Sequence, residues 1–175
     1  MSMNQNKRRC LKTTYAARVF YARMIWDEMK PGGFISDIIT EQTKGRSLGL
    51  RIPLLLHGYL RHMNGRTGTT FVSIETLAED MGYAGNGHDL YKCRKLLEKA
   101  GFLTHTKGRG RGAEYALSVP VTLVDRYEDS NGSDYEDITD YLQPEVLDGT
   151  ENKKPKKEPV STPYMEDPWK GSLDS

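Results

Sequence analysis

Residues 71–118 constrain the fold of this 175-residue chain more than any other stretch. Ser73 is a favourable helix N-cap, and the apolar residues after it recur at the spacing of one helix face. Gly82 stands where a helix C-terminus favours a left-handed residue, and the glycines that follow extend the turn. A second apolar line predicts another helix, which ends at Gly101. The apolar positions are Ile74, Leu77, Ala78 and Met81, then Leu90, Cys93, Leu97 and Ala100.

A β-hairpin is predicted directly after the second helix. Its strands are FLTHT and AEYALS, in which apolar residues alternate, and the KGRGRG between them is too rich in glycine to hold regular structure. The hairpin tip therefore presents Lys107, Arg109 and Arg111. The second helix presents a basic and polar surface away from its apolar line, formed by His88, Tyr91, Lys92, Arg94, Lys95 and Lys99.

This order of helix, turn, helix and basic hairpin resembles the winged helix-turn-helix. The resemblance covers residues 71–118, and it extends further if residues 52–63 form the first helix of such a domain. Domains of this kind are common in bacterial and phage transcription regulators and in plasmid and phage replication proteins. The residues that carry the resemblance are Ser73, Leu77, Ala78, Met81, Gly82, Leu97, Glu98, Ala100, Gly101, Phe102, Tyr115, Ala116 and Leu117.

Nucleic-acid recognition is the chemistry that these residues favour. The major groove of B-DNA admits an α-helix, from which long basic and aromatic side chains reach base edges. Arginines on a glycine-rich hairpin suit the neighbouring phosphates or minor groove, because the guanidinium group donates in a fixed fork. The predicted contacts are Asn86, His88, Tyr91, Lys92, Arg94 and Lys95 on the recognition helix, and Lys107, Arg109 and Arg111 on the wing.

The overall charge of +1 conceals a division along the chain. Residues 1–126 hold 20 Lys and Arg against 11 Asp and Glu, a net +9, whereas residues 127–175 hold 5 against 13, a net −8. The predicted class is a mainly α fold with a small β-hairpin (α+β) and a disordered acidic tail. The predicted parts are a flexible basic N-terminus (1–12), an N-terminal helical extension (13–50), the winged helix-turn-helix domain (51–126) and the tail (127–175).

The tail contains two islands of apolar residues, 135–147 and 164–173. Acidic segments with apolar residues are typical of motifs that fold on a protein partner, and a merely solubilising tail is an equal alternative. Before the islands, VTLVDRY is predicted to add a last strand or extended arm to the domain.

An N-terminal helix is predicted over residues 13–30. Tyr15, Val19, Ala22, Trp26 and Met29 form its apolar stripe, which Phe20 and Met24 widen. Such a stripe requires a partner, which is either the chain's own domain or, in a homodimer, a second copy meeting it at Tyr15, Val19, Trp26 and Met29. Residues 34–43 are predicted to form a short helix capped by Ser36. Pro53 is expected in the first turn of the next helix, and Phe71–Val72 in a short strand.

Enzyme chemistry finds little support in the sequence. The histidines and the two cysteines show no close zinc spacing, neither glycine cluster has the context of a phosphate-binding loop, and no serine stands in a nucleophile elbow. The chain is therefore expected to be no enzyme, with no metal and no cofactor. No apolar run suggests a membrane span or signal peptide, so a cytoplasmic, nucleoid-associated location is expected.

The interpretation that follows is sequence-specific binding of double-stranded DNA by a winged helix, as a transcription regulator of a bacterium or mobile element. One alternative is a plasmid or phage replication or partition protein that binds origin DNA. The other is an adaptor whose winged helix and acidic tail bind protein partners instead of DNA.

Overall fold

The computed structural model describes residues 7–43, 49–85, 87–129 and 137–148. These residues combine six α-helices with one antiparallel five-stranded sheet, which makes a mixed α and β fold with more sheet than one hairpin. The helices are α1 (Tyr15–Asp27), α2 (Phe34–Thr43), α3 (Arg51–Arg61), α4 (Ile74–Asp80), α5 (Gly87–Ala100) and α6 (Val121–Asp129). The strands are β1 (Lys7–Leu11), β2 (Thr69–Thr70), β3 (Leu103–Lys107), β4 (Glu114–Pro120) and β5 (Leu142–Asp148).

The elements in the middle of the chain follow the order α3, β2, α4, α5, β3 and β4. Strand β4 is the one with which the other strands of this part pair. One edge of β4 pairs with β3, where His105 lies opposite Tyr115. Its other edge pairs first with β2, opposite Tyr115 and Ala116, and then with β1, opposite residues 118–120. Helices α3, α4 and α5 contact one another beside this sheet.

The predicted cap and end points of the two helices α4 and α5 are confirmed. The Ser73 hydroxyl accepts a hydrogen bond from the Thr76 N–H and caps α4. Gly82 after α4 and Gly101 after α5 have φ values of +61° and +92°, a region that favours glycine. Pro53 lies in the first turn of α3, as expected.

Both ends of the domain were placed wrongly by the sequence prediction. Instead of belonging to a flexible N-terminus, β1 lies inside the sheet between β4 and β5. Instead of a disordered tail, residues 137–148 form a 3-10 turn and then β5, which pairs with β1. Ile138 and Leu142 from this segment are buried in the core. The apolar island at 135–147 thus folds largely on its own chain, and the island at 164–173 lies outside the described residues.

The segment VTLVDRY is helical, so the predicted strand or extended arm is wrong. Its apolar residues fit a helix because Leu123 and Val124 are buried together and Tyr127 follows on the same face. The Tyr127 hydroxyl donates to the Glu28 carboxylate at 3.0 Å, which fixes α6 against the end of α1.

Helix α1 packs with the face opposite to Tyr15, Val19 and Trp26 of the predicted stripe, and Phe20 and Met24, which were predicted to widen that stripe, belong to the packed face. Its buried residues are Ala17, Phe20, Tyr21, Met24 and Ile25. Tyr21 has no exposed surface, and its hydroxyl lies 3.2 Å from the Phe102 carbonyl oxygen and 3.1 Å from that of Ser118. Apolar residues occupy both faces of α1, so their spacing alone could not identify the one that packs.

Three smaller predictions also change. Helix α2 has the predicted bounds, but the Glu28 carboxylate accepts from the Phe34 N–H at its start, and Ser36 lies inside the helix. The short strand is Thr69–Thr70 rather than the two residues that follow. The hairpin tip contains a 3-10 turn, Gly110–Gly112, where no regular structure was expected.

Candidate nucleic-acid interface

One side of α5 is exposed and basic. His88, Lys92, Lys95 and Lys99 recur at intervals of four, three and four residues, which places them in a row along the helix. Tyr91 lies beside this row with 41% of its surface exposed. The structure thus brings together four of the predicted recognition-helix residues, His88, Tyr91, Lys92 and Lys95. Of the other two, Asn86 lies outside the described residues, and Arg94 is buried.

The two acidic residues of α5 are paired with basic groups. Asp89 lies with a carboxylate oxygen 3.7 Å from Arg51 Nη1 of α3. Glu98 lies 3.7 Å from Arg94 Nε and 3.6 Å from Lys95 Nζ. Among the described residues, Lys92 and Lys99 have no acidic partner of this kind. Lys92 and Lys99 therefore present positive charge that no acidic residue of the helix neutralises.

Arg94 differs from the other predicted DNA contacts, because it is only 7% exposed. Its guanidinium carbon lies 4.6 Å from the centre of the Tyr91 ring and 5.1 Å from that of the Tyr115 ring. A cation over an aromatic face contributes about 0.5–1 kcal/mol when exposed and roughly 2 kcal/mol when desolvated. The prediction of Arg94 as an exposed contact is corrected, since burial between these rings leaves it little surface for DNA.

Tyr115 connects Arg94 and Tyr91 to the β3–β4 hairpin. Its ring lies 5.5 Å from the His105 ring on β3 and 5.8 Å from the Tyr59 ring on α3. Burial raises the pKa of the Tyr115 hydroxyl to about 12, and the nearby Glu98 carboxylate acts in the same direction. The hydroxyl therefore remains protonated at neutral pH and can donate a hydrogen bond to Glu98.

The hairpin tip presents a second basic group. Arg109 is exposed, between Gly108 and Gly110, whose φ values are +78° and +59°. Lys107 is also exposed, but its ammonium lies 3.6 Å from a Glu114 carboxylate oxygen and 5.4 Å from the centre of the Phe71 ring. The Arg111 side chain lies outside the described part of the structure. Arg109 is thus the wing arginine whose exposure the structure shows.

A shallow groove of about 480 Å³ lies between the end of α3, β2 and the start of α4. Five of its eight residues carry a hydroxyl or amide group, and Phe71 is 55% exposed. The sequence analysis did not identify this groove, because its residues are brought together only when α3 packs against α4. They are His62, Asn64, Thr69, Thr70, Phe71, Val72, Ser73 and Thr76.

The acidic segment lies away from this surface. Strand β1 separates β5 from β4 and pairs with β4 at residues 118–120, the end opposite the hairpin tip. Of the 13 acidic residues after residue 126, eight precede residue 149, and the remaining five are matched by five lysines. The negative charge therefore belongs to the part of the chain that contains α6 and β5, and residues 149–175 are neutral overall.

The predicted dimer stripe on α1 is mostly exposed. Tyr15 is 82% exposed, Trp26 45% and Val19 40%, whereas Met29 packs partly against the core. The Trp26 ring lies 5.5 Å from that of His57 on α3. The interpretation in which this stripe packs on the chain's own domain therefore holds for Met29 and in part for Trp26, whereas Tyr15 is almost fully exposed.

No group of three or more His, Cys, Asp or Glu side chains among the described residues is placed to hold a metal ion, and none of the helices that these residues form is both long and apolar enough to cross a membrane. Both cysteines are buried as free thiols, and burial raises the pKa of Cys10 to about 11. Comparison with protein-family models, curated proteins and solved structures finds no match for this chain.

Proposed function

We propose that this chain is a winged helix-turn-helix protein that binds double-stranded DNA sequence-specifically, with α5 in the major groove and the β3–β4 hairpin as the wing. The element order of α3, β2, α4, α5, β3 and β4, with β2 and β3 both paired to β4, supports this assignment. The observation that carries it is the exposed basic row on α5: Asp89 pairs with Arg51 and Glu98 with Arg94 and Lys95, whereas Lys92 and Lys99 have no acidic partner among the described residues.

The proposed contacts divide by role. His88, Tyr91, Lys92 and Lys95 would read base edges from α5, whereas Arg109 would hold a phosphate from the wing. The acidic strand β5 lies at the opposite end of β4, so it would not face the DNA phosphates. Regulation of transcription is the favoured role, and origin binding by a replication or partition protein uses the same surface.

Substitutions on helix α5 and at the tip of the wing should have different effects on DNA binding. We expect Lys92→Ala or Lys95→Ala to weaken binding to a selected sequence by about 1–3 kcal/mol and to alter sequence preference. Arg109→Ala should weaken binding to most sequences alike and lower the slope of log affinity against log salt by about one. Selection from a random DNA pool, followed by anisotropy titrations over a range of salt, measures both effects.

The control for these variants is Lys30→Ala, which removes a lysine whose ammonium lies 2.7 Å from Asp27 on another part of the surface. It should leave selection and affinity unchanged. Equal effects of all four substitutions would show that only diffuse charge matters and would contradict the recognition-helix assignment. No enrichment of any sequence by the unaltered protein would favour the adaptor alternative.

We also propose that the protein binds DNA as a homodimer through the exposed stripe on α1. A helix that is apolar on both faces is normally buried on both, yet Tyr15, Val19 and Trp26 remain exposed here. A twofold dimer would let two copies of α5 meet successive major grooves about 34 Å apart. The expected operator is an inverted repeat.

Val19→Glu should convert the dimer to a monomer, because it places a charge in the proposed apolar contact. The Val19 side chain is already 40% exposed, so the substitution should change thermal stability little. Native mass measurement and sedimentation equilibrium, with and without operator DNA, test this. The matched control is Thr122→Glu, which adds the same charge at an exposed position of α6. A wild-type protein that is monomeric even on DNA would contradict the proposal.

A further inference from the structure

Arg94 is a buried arginine on the helix that we assign to the major groove. It is 7% exposed, whereas its neighbours Tyr91 and Lys95 have exposed side chains. Its guanidinium carbon lies 4.6 Å from the Tyr91 ring on its own helix and 5.1 Å from the Tyr115 ring on β4. The group thus lies between a side chain of α5 and a side chain of the sheet.

Tyr115, the sheet residue that contacts Arg94, belongs to the hairpin that we assign to the wing. Tyr115 pairs across the hairpin with His105, and the rings of these two residues lie 5.5 Å apart. The residue before it, Glu114, accepts hydrogen bonds from Thr69 at 2.8 Å and Thr106 at 2.7 Å and pairs with Lys107. Tyr115 therefore occupies a well-anchored position at the base of the hairpin.

A third group holds Arg94 on the helix side. Glu98, one turn further along α5, has a carboxylate oxygen 3.7 Å from Arg94 Nε. The Glu98 carbonyl oxygen accepts a hydrogen bond of 3.0 Å from Arg8 Nη1, and the same nitrogen donates at 3.0 Å to the carbonyl of Leu103 at the start of β3. Two arginines thus connect α5 to the strands, one through aromatic rings and one through backbone carbonyls.

We infer that Arg94 is a positioning residue for DNA reading: its buried guanidinium, held against the Tyr115 ring of the sheet, keeps the Tyr91 ring in a fixed orientation relative to the wing. This inference rests on the proposed function. Arg94 itself does not contact DNA; it acts through Tyr91, whose exposed edge reaches the groove. Loss of the guanidinium therefore reduces discrimination between sequences more than it reduces general attraction to DNA.

The chemistry requires arginine at this position. A guanidinium group is planar and weakly hydrated, so it can stack between two rings in a buried site. A lysine ammonium is compact and strongly hydrated, and it cannot stack on two faces at once. Arg94→Lys therefore keeps the charge of α5 but removes the proposed function of the residue, and Arg94→Met keeps a long apolar side chain without the charge.

Salt titrations distinguish positioning from a phosphate contact. For Arg94→Lys and Arg94→Met we expect affinity for the selected sequence to fall about tenfold, with a much smaller loss on random DNA and an unchanged salt slope. The control is Arg109→Ala, which removes the proposed phosphate contact of the wing and should lower the slope by about one. Measurements are made below the melting temperature of every variant, so that only folded protein is compared.

A double-mutant cycle tests whether Arg94 acts through Tyr91. In a Tyr91→Ala background, Arg94→Lys should produce no further loss of the ratio between selected and random DNA affinity. A purely structural arginine would produce additional loss in that background. Should Arg94→Met fail to fold, the Arg94→Lys arm and this cycle still decide the question.

A measurement without DNA separates this inference from the proposed function. In protein with carbon-13 tyrosine, assigned with Tyr91→Phe and Tyr115→Phe, the ring resonances of Tyr115 should move in Arg94→Met and stay in place in Lys92→Met. The positioning role would be overturned if the Tyr115 resonances did not move in Arg94→Met. It would also be overturned if Arg94→Met lowered the slope of log affinity against log salt by about one and weakened binding to selected and random DNA equally. Moved resonances in a protein that enriches no DNA would instead overturn the proposed function alone.

Discussion

A chain that ends after Asp129 should unfold at a much lower denaturant concentration than the full chain. The truncation removes Ile138 and Leu142, which are 2% and 1% exposed, and the Tyr141 ring that stacks 4.7 Å from Phe20. Full burial of each aliphatic side chain contributes about 1.5–3 kcal/mol, so we expect a loss of about 3–6 kcal/mol in the free energy of unfolding. Equilibrium urea unfolding followed by circular dichroism measures it.

The control is a chain that ends after Asp148, which retains β5 and lacks only residues 149–175. Its unfolding midpoint should match that of the full chain. Within the full chain, Leu142→Ala should lower the free energy of unfolding by about 2–5 kcal/mol, whereas Asp140→Ala, at an exposed position of the same segment, should change it little. Equal midpoints for the two truncated chains would show that residues 137–148 do not stabilise the domain.

The same segment shows why the sequence alone did not predict this part of the fold. Residues 127–148 have many acidic and few apolar residues, a composition typical of disorder. What orders residues 137–148 is a partner strand about 130 residues earlier in the chain: Arg9 Nε donates to the Gln143 carbonyl, and Lys12 N–H to that of Tyr141. The composition of one short stretch of sequence contains no information about pairing with a strand so far away in the chain.

Local signals, by contrast, predicted local structure correctly. Ser73 before α4, the left-handed glycines after α4 and α5, and the two strands of FLTHT and AEYALS depend on signals within a few residues, and each is confirmed, although every residue of β4 is buried. The apolar residues of α5 also pack as expected, with Leu90, Cys93 and Leu97 buried. These features specify the helix pair and hairpin that we propose bind DNA.

The candidate site was only partly predictable for the same reason. Lys92 and Arg94 are both basic residues of α5, and their spacing does not separate an exposed contact from a buried one. The difference arises from Tyr115, which lies 21 residues after Arg94 in the sequence and is brought to it by the packing of α5 on β4. In α1, apolar residues on both faces left the packing side open until the positions of Phe102 and Ser118 against Tyr21 settled it.

Glu28→Ala should destabilise the fold by about 2–4 kcal/mol, because it removes a buried carboxylate that joins three helices. Glu28 is 6% exposed and follows α1. One carboxylate oxygen accepts from the Phe34 N–H of α2 at 2.6 Å and from Arg126 of α6 at 3.3 Å, and the other accepts from the Tyr127 hydroxyl at 3.0 Å. Without it, the start of α2 loses its acceptor and α6 loses two bonds to α1.

Thermal and urea unfolding of Glu28→Ala and Glu28→Gln measure this effect. The amide of Glu28→Gln keeps one acceptor oxygen but no charge, so its stability should lie between that of the unaltered protein and Glu28→Ala. The matched control is Asp37→Ala, which removes an exposed carboxylate from the first turn of α2 and should cost about 0.5 kcal/mol through the helix dipole. If Glu28→Ala cost no more than Asp37→Ala, the carboxylate would not be what joins these helices.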